Sequence, residues 1–551
     1  MPTIGTTLNR LLPFGTNPGR RSLRICPAWP PDLFAVTATL LESSSLYADL
    51  ACTAGWDAQV YLFNNAYLRE VARAAAEWAR TGNVPPSVGN LWDQLRRFGH
   101  NEVTIESLPV IIRLMAIADA ASVEVGFVSS KRNAPFPTVV LNDLMEIASF
   151  RRPRHLPYAP SSLCRMIPND LLCVQPKTNV PLVGCTLRSL SHNLALLPPV
   201  GVVETNWLFT HPAERKDDPL NLLLIPYPFT ISANYFVPVD DCVDKDNCYF
   251  SARVGSLDAK GAPMPNSEIT KMICSLIESA RREVKEVHGV VFPETALLES
   301  DALQIAAAVA DNNPELELFI AGVLLPELPK RMARNCAYTA RLHRGKVFAH
   351  WMQSKHHRWR LEESQIERYH LGDSLNPEKN WWEKIDVCDR TCFFTVVRWG
   401  ASLAVLICED LARFDPVLPA INAVGPTLVI ALLMDGPQLE RRWPGRYATV
   451  LADDPGSSVL TLTSLGMVRR SSMPGDEGTN YNIALWKEAG GSARELKLSK
   501  DHHGLLLSLI TSYEKQTTMD RRTDRGATAR LRLFGARQVA FATGHAPNWL
   551  H

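Results

Sequence analysis

The sequence lacks the signatures of several common enzyme and metal-binding classes. Its 12 cysteines include no CxxC pair, and the histidine pairs at 356–357 and 502–503 have no HExxH setting. The closest cysteines, Cys388 and Cys392, have no second pair or histidine partner at zinc-finger spacing. We therefore expect no metal site, no cofactor and no disulfide framework.

The sequence also lacks an excess of charge of either sign and any long apolar run. Its net charge of +1 over 551 residues gives no general argument for binding nucleic acid or an anionic membrane. The run at 427–434 (TLVIALLM) is much shorter than the roughly 20 residues that a membrane helix needs. Arginines near the N-terminus are not followed by the apolar core of a signal peptide. These features predict a cytoplasmic, non-membrane protein.

Changes in composition along the chain predict five regions. A flexible N-terminus at 1–30 precedes a helical domain at 31–154 and a connector at 155–220. Residues 221–511 alternate apolar strands with amphipathic helices, which is typical of an α/β domain. Residues 512–551 form an arginine-rich tail. The fold class is therefore α/β, preceded by a mostly α-helical region.

Apolar spacing predicts four helices before the α/β domain. Residues 67–80 and 101–123 are amphipathic at helical spacing, and 139–150 and 186–197 are shorter candidates. Pro109 is compatible with the second helix only if it lies in the first turns.

Two clusters of arginine permit more than one interpretation. Arg151, Arg152 and Arg154 could contact nucleic acid, but a solvated linker is the preferred interpretation. Residues 521–537 contain six arginines interleaved with apolar residues, which predicts an interaction arm beyond the core. That arm could hold an oligomer together, bind nucleic acid, or be a disordered tail.

Polar residues follow three predicted strands at the points where the strands end. Glu294 follows VVFP, Lys355 follows VFAHWMQS, and Cys408 follows LAVLI. Each has an ordinary structural explanation: a turn glutamate, a surface lysine and a buried core cysteine. Together, however, a carboxylate, an ammonium and a thiol are the groups required for thiol-mediated acyl transfer. No GxSxG, P-loop or GxGxxG sequence indicates a competing chemistry.

These segments resemble the nitrilase, or carbon–nitrogen hydrolase, superfamily. The similar sequences are VVFPETAL at 290–297, QSKHHRW at 353–359 and LICEDLARF at 406–414. The resemblance covers about 221–511 and implies an α-β-β-α sandwich. It also implies a Glu-Lys-Cys triad at Glu294, Lys355 and Cys408.

The resemblance implies further roles around the triad. Glu294 would act as general base, Cys408 as nucleophile, and Lys355 with the backbone N–H of Glu409 would hold the oxyanion. An auxiliary glutamate is expected shortly after the lysine, and Glu363 fits best by spacing. Glu362 is the alternative.

The chain departs from the family pattern in two places. An apparent insertion at 371–389, charged and rich in tryptophan, lies near the expected mouth of the pocket. The extension at 1–220 is also not part of the usual family. With the Cys-Glu-Asp sequence at 408–410, it gives a faint similarity to nitrilase modules of antiphage systems that contain a reverse transcriptase.

We therefore predict a hydrolase that cleaves an amide or nitrile through a covalent cysteine thioester or thioimidate. The resemblance also implies a homo-oligomer. The alternative is a nitrilase-fold scaffold or effector, for example a component of an antiphage system, whose N-terminal region binds a protein or nucleic acid. The sequence does not distinguish nitrile from amide, or hydrolysis from acyl transfer.

Overall fold

The computed structural model describes ten segments of the chain and a few shorter stretches. The segments are 2–12, 25–48, 63–123, 161–181, 184–208, 219–239, 261–329, 331–398, 400–471 and 480–542; the shorter stretches are 242, 244–253, 255, 257 and 547. The predicted helix at 139–150 and the arginines at 151–154 lie outside these residues.

The α-helices of the described residues fall into an N-terminal group of five and a second group within the α/β region. They are α1 (Ile4–Leu11), α2 (Pro30–Ser44), α3 (Asn65–Thr81), α4 (Pro86–Arg97), α5 (Leu108–Ala121), α6 (Asn266–Ala280), α7 (Glu299–Asn312), α8 (Glu363–Arg368), α9 (Leu418–Val424), α10 (Trp443–Asp453) and α11 (Leu465–Arg470).

The strands lie between the N-terminal helices and the C-terminus. They are β1 (Cys173–Pro176), β2 (Leu194–Leu197), β3 (Glu204–Leu208), β4 (Leu220–Leu224), β5 (Phe236–Pro238), β6 (Cys248–Ala252), β7 (Gly289–Val291), β8 (Leu297–Leu298), β9 (Leu318–Leu325), β10 (Arg334–His343), β11 (Lys346–Ser354), β12 (Arg360–Leu361), β13 (Trp381–Glu383), β14 (Thr391–Arg398), β15 (Ala401–Ile407), β16 (Leu428–Leu433), β17 (Ser458–Thr463), β18 (Asn480–Lys487), β19 (Arg494–Ser499), β20 (Gly504–Glu514) and β21 (Thr528–Val539).

The N-terminal helices pack around α5, which is buried on nearly every side and contacts α2, α3 and α4. The predicted helices at 67–80 and 101–123 are present as α3 and α5. The second begins later than expected because Pro109 occupies its first turn, where a missing N–H is tolerated. The expectation of a flexible N-terminus is wrong for α1, whose residues Ile4 and Leu8 are buried in the core.

The predicted connector contains strands in place of the expected helix. Residues 187–190 form a single 3₁₀ turn, after which β2 pairs antiparallel with β1. The helical interpretation of 186–197 was wrong because this tertiary pairing overrides the local preference of a leucine-rich segment. The connector also supplies β3, which pairs with β14 at the edge of a larger sheet.

Two large sheets face each other. The eight-stranded sheet has the order β11-β10-β9-β7-β4-β20-β21, with β8 beside β9, and the seven-stranded sheet has the order β19-β18-β17-β16-β15-β14-β3. Strands β10 and β11 contact β15 and β14 of the facing sheet. Helices α6 and α7 lie against the first sheet, and α10 and α11 against the second. The fold is therefore the nitrilase-like α-β-β-α sandwich, with a helical N-terminal region.

A smaller four-stranded sheet has the order β12-β13-β6-β5. Its strand β13 belongs to the predicted insertion at 371–389 and pairs parallel with β6. Aromatic rings of Phe250 and Trp359 pack edge to face in the cluster beneath it. The first residue of β6, Cys248, forms a disulfide with Cys242, a pair that the expectation of no disulfide framework did not include.

The arginine-rich segment is part of the sandwich, so the prediction of an arm beyond the core is wrong. Strand β21 pairs with β20 along its whole length, from Thr528 opposite Glu514 to Val539 opposite Gly504. Leu531 is fully buried beneath the sheet. The alternation of apolar and arginine side chains is that of a strand with one face in the core.

A buried ion cluster joins the N-terminal helices to the segment just before β21. Arg522 donates to Asp119 of α5 and to Asp520, each at 2.7 Å. Tyr67 of α3 donates its hydroxyl to Asp520 at 2.5 Å. The helical region is therefore attached to the sandwich through specific buried charges.

No helix of the described segments is long and apolar enough to cross a membrane.

Candidate active site

The three sequence-predicted groups lie at strand ends that face one another across the sandwich. Glu294 follows β7 and Lys355 follows β11, both in the eight-stranded sheet. Cys408 follows β15 of the facing sheet. All three side chains are buried, with exposed fractions of 1%, 0% and 2%. Glu294 and Cys408 follow strands that are buried throughout, and Lys355 follows the two buried residues that end β11, so each polar side chain is held within the protein interior.

A glycine opposite Glu294 makes room for the turn that carries this carboxylate. A Cβ at Gly322 of β9 would lie 2.4 Å from both Glu294 Cα and Pro293 O. The Gly322 N–H donates to the Pro293 carbonyl at 3.0 Å. Thr295 then adopts a left-handed conformation with φ of 50°. The turn therefore packs against β9 more closely than any side chain would allow.

Cys408 itself has a left-handed backbone conformation, with φ of 45°, and opens a 3₁₀ turn over 408–411. Such a conformation costs a non-glycine residue on the order of 1–3 kcal/mol and is found most often at functional sites. The sharp turn places the thiol at the end of the strand, before the chain moves away from the sheet.

Lys355 is held between two buried carboxylates. Its Nζ lies 2.8 Å from Glu294 Oε1 and 2.7 Å from Glu383 Oε2. Asn335 of β10 donates its side-chain N–H to both glutamates, at 2.8 Å and 3.0 Å. The Trp359 N–H also donates to Glu383, at 3.1 Å. The Lys355 ammonium is therefore held by two carboxylates that are themselves held by hydrogen bonds.

Glu383 takes the position that the sequence assigned to Glu363. Glu363 is exposed and begins α8, whereas Glu383 ends β13 inside the protein. The alternative, Glu362, is also exposed and is the N-terminal cap residue of α8. The assignment failed because it relied on spacing from the lysine, while the carboxylate comes from the inserted segment. The sequence did not show that β13 is buried as a strand of the smaller four-stranded sheet.

The electrostatic environment affects the three groups differently. Burial raises the pKa of Glu294; the Lys355 ammonium opposes this rise and the Glu383 carboxylate adds to it. Burial alone would lower the pKa of Lys355, but the two carboxylates hold it well above its usual value. Burial, reinforced by Glu294, raises the pKa of the Cys408 thiol well above its usual value. The site thus favours a charged lysine and a protonated thiol.

Asp410 connects the cysteine turn to the end of β11, a contact that sequence reasoning missed. Its carboxylate accepts the His356 N–H at 3.1 Å and lies 3.0 Å from His357 Nδ1. Burial alone would raise the pKa of Asp410, but the His356 and His357 side chains, together with the His356 N–H, lower it. The signal was present, since the histidines follow Lys355 directly and Asp410 lies two residues after Cys408.

Glu409, whose backbone N–H the sequence assigned to the oxyanion, pairs through its side chain with Arg413. Its Oε2 accepts from Arg413 at 2.8 Å, one turn further along the chain. The side chain is half-buried. The backbone at 409 remains beside Cys408 because the two residues share the 3₁₀ turn.

A small cavity of about 40 Å³ reaches Cys408. Its lining combines aromatic and polar residues: Trp359, Gln365, Arg368, Tyr369, Cys408, Glu409, Met434, Asp435, Arg442 and Trp443. A larger cavity of about 490 Å³ lies between the N-terminal helices and α9. The buried cations on its wall are engaged, since Lys177 donates to Ser191 and Arg188 pairs with Asp454. The smaller cavity is therefore the candidate site.

Within the described residues, no group of three histidine, cysteine, aspartate or glutamate side chains is arranged to hold a metal ion.

Comparison with solved structures finds several proteins to which this chain is similar. An amidase from Nesterenkonia sp. is 13% identical, with 54% of this chain and 92% of that chain covered and a TM-score of 0.30. Saccharomyces cerevisiae Nit3, a member of branch 10 of the nitrilase superfamily, is 14% identical, with coverage of 60% and 93% and a TM-score of 0.27. A carbon–nitrogen hydrolase from Helicobacter pylori G27 is 11% identical, with coverage of 51% and 88% and a TM-score of 0.28.

Neither a protein-family model nor a curated protein sequence matches the chain. The likeness to solved structures concerns the fold alone. The fold class therefore rests on the two facing sheets and their helices.

Proposed function

We propose that the protein is a carbon–nitrogen hydrolase that cleaves an amide or a nitrile through Glu294, Lys355 and Cys408. The observation that carries this proposal is the meeting of the three groups at buried strand ends, with Lys355 held at 2.8 Å from Glu294. A carboxylate base, a cation and a thiol in one buried site are the groups that nucleophilic acyl transfer requires.

In the first half of the reaction, Glu294 takes the proton from the Cys408 thiol as sulfur attacks the substrate carbon. The raised pKa of the thiol makes this base necessary, because little thiolate exists beforehand. Lys355 and the Glu409 N–H stabilise the negative oxygen of the tetrahedral intermediate. The C–N bond then breaks, Glu294 returns the proton to the departing nitrogen, and a thioester remains.

In the second half, Glu294 takes a proton from a water molecule as the water oxygen attacks the thioester carbon. The C–S bond breaks, Cys408 recovers its proton, and the carboxylic acid leaves. A nitrile would form a thioimidate in place of the tetrahedral intermediate. One water would then add to it and either release an amide as the C–S bond breaks, or expel ammonia to leave the thioester, which a second water hydrolyses to the acid. The sequence of steps requires no cofactor.

Lys355 suits the oxyanion role because its charge is maintained. The two carboxylates hold its pKa well above the usual value, so it stays an ammonium throughout the working pH range. Glu383 would position this ammonium rather than react.

The proposal is tested with a panel of small amides and nitriles, measuring released ammonia and acid. We expect Cys408→Ala to abolish turnover and Cys388→Ala, at an exposed free cysteine, to retain it. Circular dichroism spectra would verify that both variants are folded.

The competing function is a scaffold that keeps the sandwich without the chemistry. No turnover of any compound, combined with unhindered alkylation of Cys408, would favour it over the hydrolase.

A further inference from the structure

Asp435 lines the same small cavity as Cys408 but takes no part in the proposed chemistry. It lies shortly after β16, the strand next to β15, and is 4% exposed. Its backbone N–H donates to Thr463 Oγ1 at 3.1 Å. The residue is therefore fixed at the carboxyl end of the sheet, where α/β folds place ligand-binding groups.

The two oxygens of this carboxylate have different surroundings. Oδ1 accepts from Arg442 Nη2 at 2.8 Å and from the Tyr369 hydroxyl. Oδ2 is buried and has no hydrogen-bond partner in the described part of the chain. A buried carboxylate oxygen without a donor is uncommon and costs about 1–3 kcal/mol. A ligand N–H in the cavity would supply the missing donor.

The charges around the cavity limit which kind of N–H donor a ligand can present to Asp435 Oδ2. Arg442 already neutralises Asp435 and Arg413 pairs with the other lining carboxylate, Glu409. Arg368 also lines the cavity, so a cationic ligand would meet like charge. A carboxylate ligand would place its oxygen against Oδ2 and leave that atom without a donor. A neutral N–H satisfies Oδ2 and adds no charge.

We propose that Asp435 determines specificity, selecting amides whose acyl part carries a neutral N–H donor such as a second carboxamide. Oδ2 accepts that N–H while the scissile carbon lies at Cys408. This assignment rests on the hydrolase function for the position of the scissile carbon. The small volume of the cavity favours a short acyl group.

Asp435→Asn tests the proposal by reversing the polarity at one atom. Both partners of Oδ1 are donors, so the asparagine oxygen is held there and its NH₂ group replaces Oδ2. The cavity then presents a donor in place of an acceptor. Asp453→Asn removes the same charge from an exposed position at the end of α10 and is the matched control.

The substrates are succinamide, the isosteric apolar 4-methylpentanamide, and succinamate. We expect the wild type and Asp453→Asn to favour succinamide over 4-methylpentanamide about tenfold in kcat/KM, the effect of one hydrogen bond. Asp435→Asn should lose that preference and shift towards succinamate. Turnover without discrimination by the wild type, or an unchanged preference in Asp435→Asn, would overturn the specificity assignment and leave the hydrolase function intact.

Calorimetric binding to the inactive Cys408→Ala protein separates the two proposals, and it needs no variant at 435. Tighter binding of succinamide than of 4-methylpentanamide supports the assignment even if the wild type hydrolyses neither, in which case the hydrolase function fails alone. Equal binding of the two amides, or no binding of either, overturns the assignment.

Discussion

At the scale of single residues, the site depends on a lysine whose position is fixed by two carboxylates. A guanidinium is a wide planar fork and does not fit a space shaped for a compact ammonium. We therefore expect Lys355→Arg to lower kcat/KM by about 10²–10³, the effect of losing one oxyanion donor. Steady-state kinetics would measure it.

The matched control for this variant is Lys346→Arg, at the exposed first residue of the same strand β11. It should retain wild-type kinetics. Near-wild-type activity in folded Lys355→Arg would remove Lys355 from the site.

The second carboxylate, Glu383, should affect the pH dependence of the proposed hydrolysis. Glu294 must be ionised to act as base, and its pKa is raised, so kcat/KM should fall as pH falls through that raised value. In Glu383→Gln a negative neighbour of Glu294 is lost, which lowers the pKa of Glu294. The acid limb of the pH profile of kcat/KM should therefore move to lower pH. The value of kcat should also fall, because Lys355 loses one of its two carboxylate partners.

Glu363→Gln is the control for Glu383→Gln, since Glu363 is exposed on α8. Its pH profile of kcat/KM should match that of the wild type. An acid limb that stays in place or moves upward in Glu383→Gln would contradict the coupling between Glu383 and Glu294.

At the scale of secondary-structure elements, the turn after β7 depends on a missing side chain in β9. Gly322→Ala would bring a methyl group to 2.4 Å from backbone atoms of Pro293 and Glu294, which cannot be relieved by a rotamer change. We expect a loss of roughly 1–3 kcal/mol in the free energy of unfolding, together with lower turnover as Glu294 is displaced. Urea unfolding and kinetics would measure the two effects.

Gly535→Ala serves as the control because a Cβ at this strand glycine meets no atom within 4 Å. It should leave both quantities close to the wild type. If Gly322→Ala behaves in the same way, the close approach of β9 does not hold the turn.

The strand ends were predictable from the sequence, whereas contacts made by insertions were not. Glu294 and Cys408 each follow a run of buried apolar residues, so the pattern itself marks their positions. Glu383 lies in β13, which pairs with β6, more than a hundred residues earlier in the chain. The alternation of apolar and arginine residues around Leu531 is typical of a strand with one buried face, although the arginine content favoured a charged arm.

At the scale of the whole molecule, the N-terminal helices are bound to the sandwich by buried charge. Arg522→Ala would leave Asp119 and Asp520 buried without their cation, which costs about 3–5 kcal/mol. We therefore expect a large fall in thermal stability and exposure of the helical region to limited proteolysis. Differential scanning calorimetry and a protease time course would measure these changes.

Arg537→Ala provides the comparison, since its ion pair with Glu283 lies at the surface and contributes little. Its melting temperature should stay near that of the wild type. An equally stable Arg522→Ala protein would show that the helices are held by apolar packing alone.

Assembly into a homo-oligomer remains a prediction, which light scattering of the intact chain would test.

The central claim is that Cys408 forms a covalent acyl intermediate. The most direct measurement is mass spectrometry of the protein after rapid acid quench during turnover of an amide, followed by peptide mapping. We predict a mass increase equal to that of the acyl group on the peptide that contains Cys408, and no mass increase in Cys408→Ala. An acyl group on another residue, or amide hydrolysis by Cys408→Ala at the wild-type rate, would contradict it.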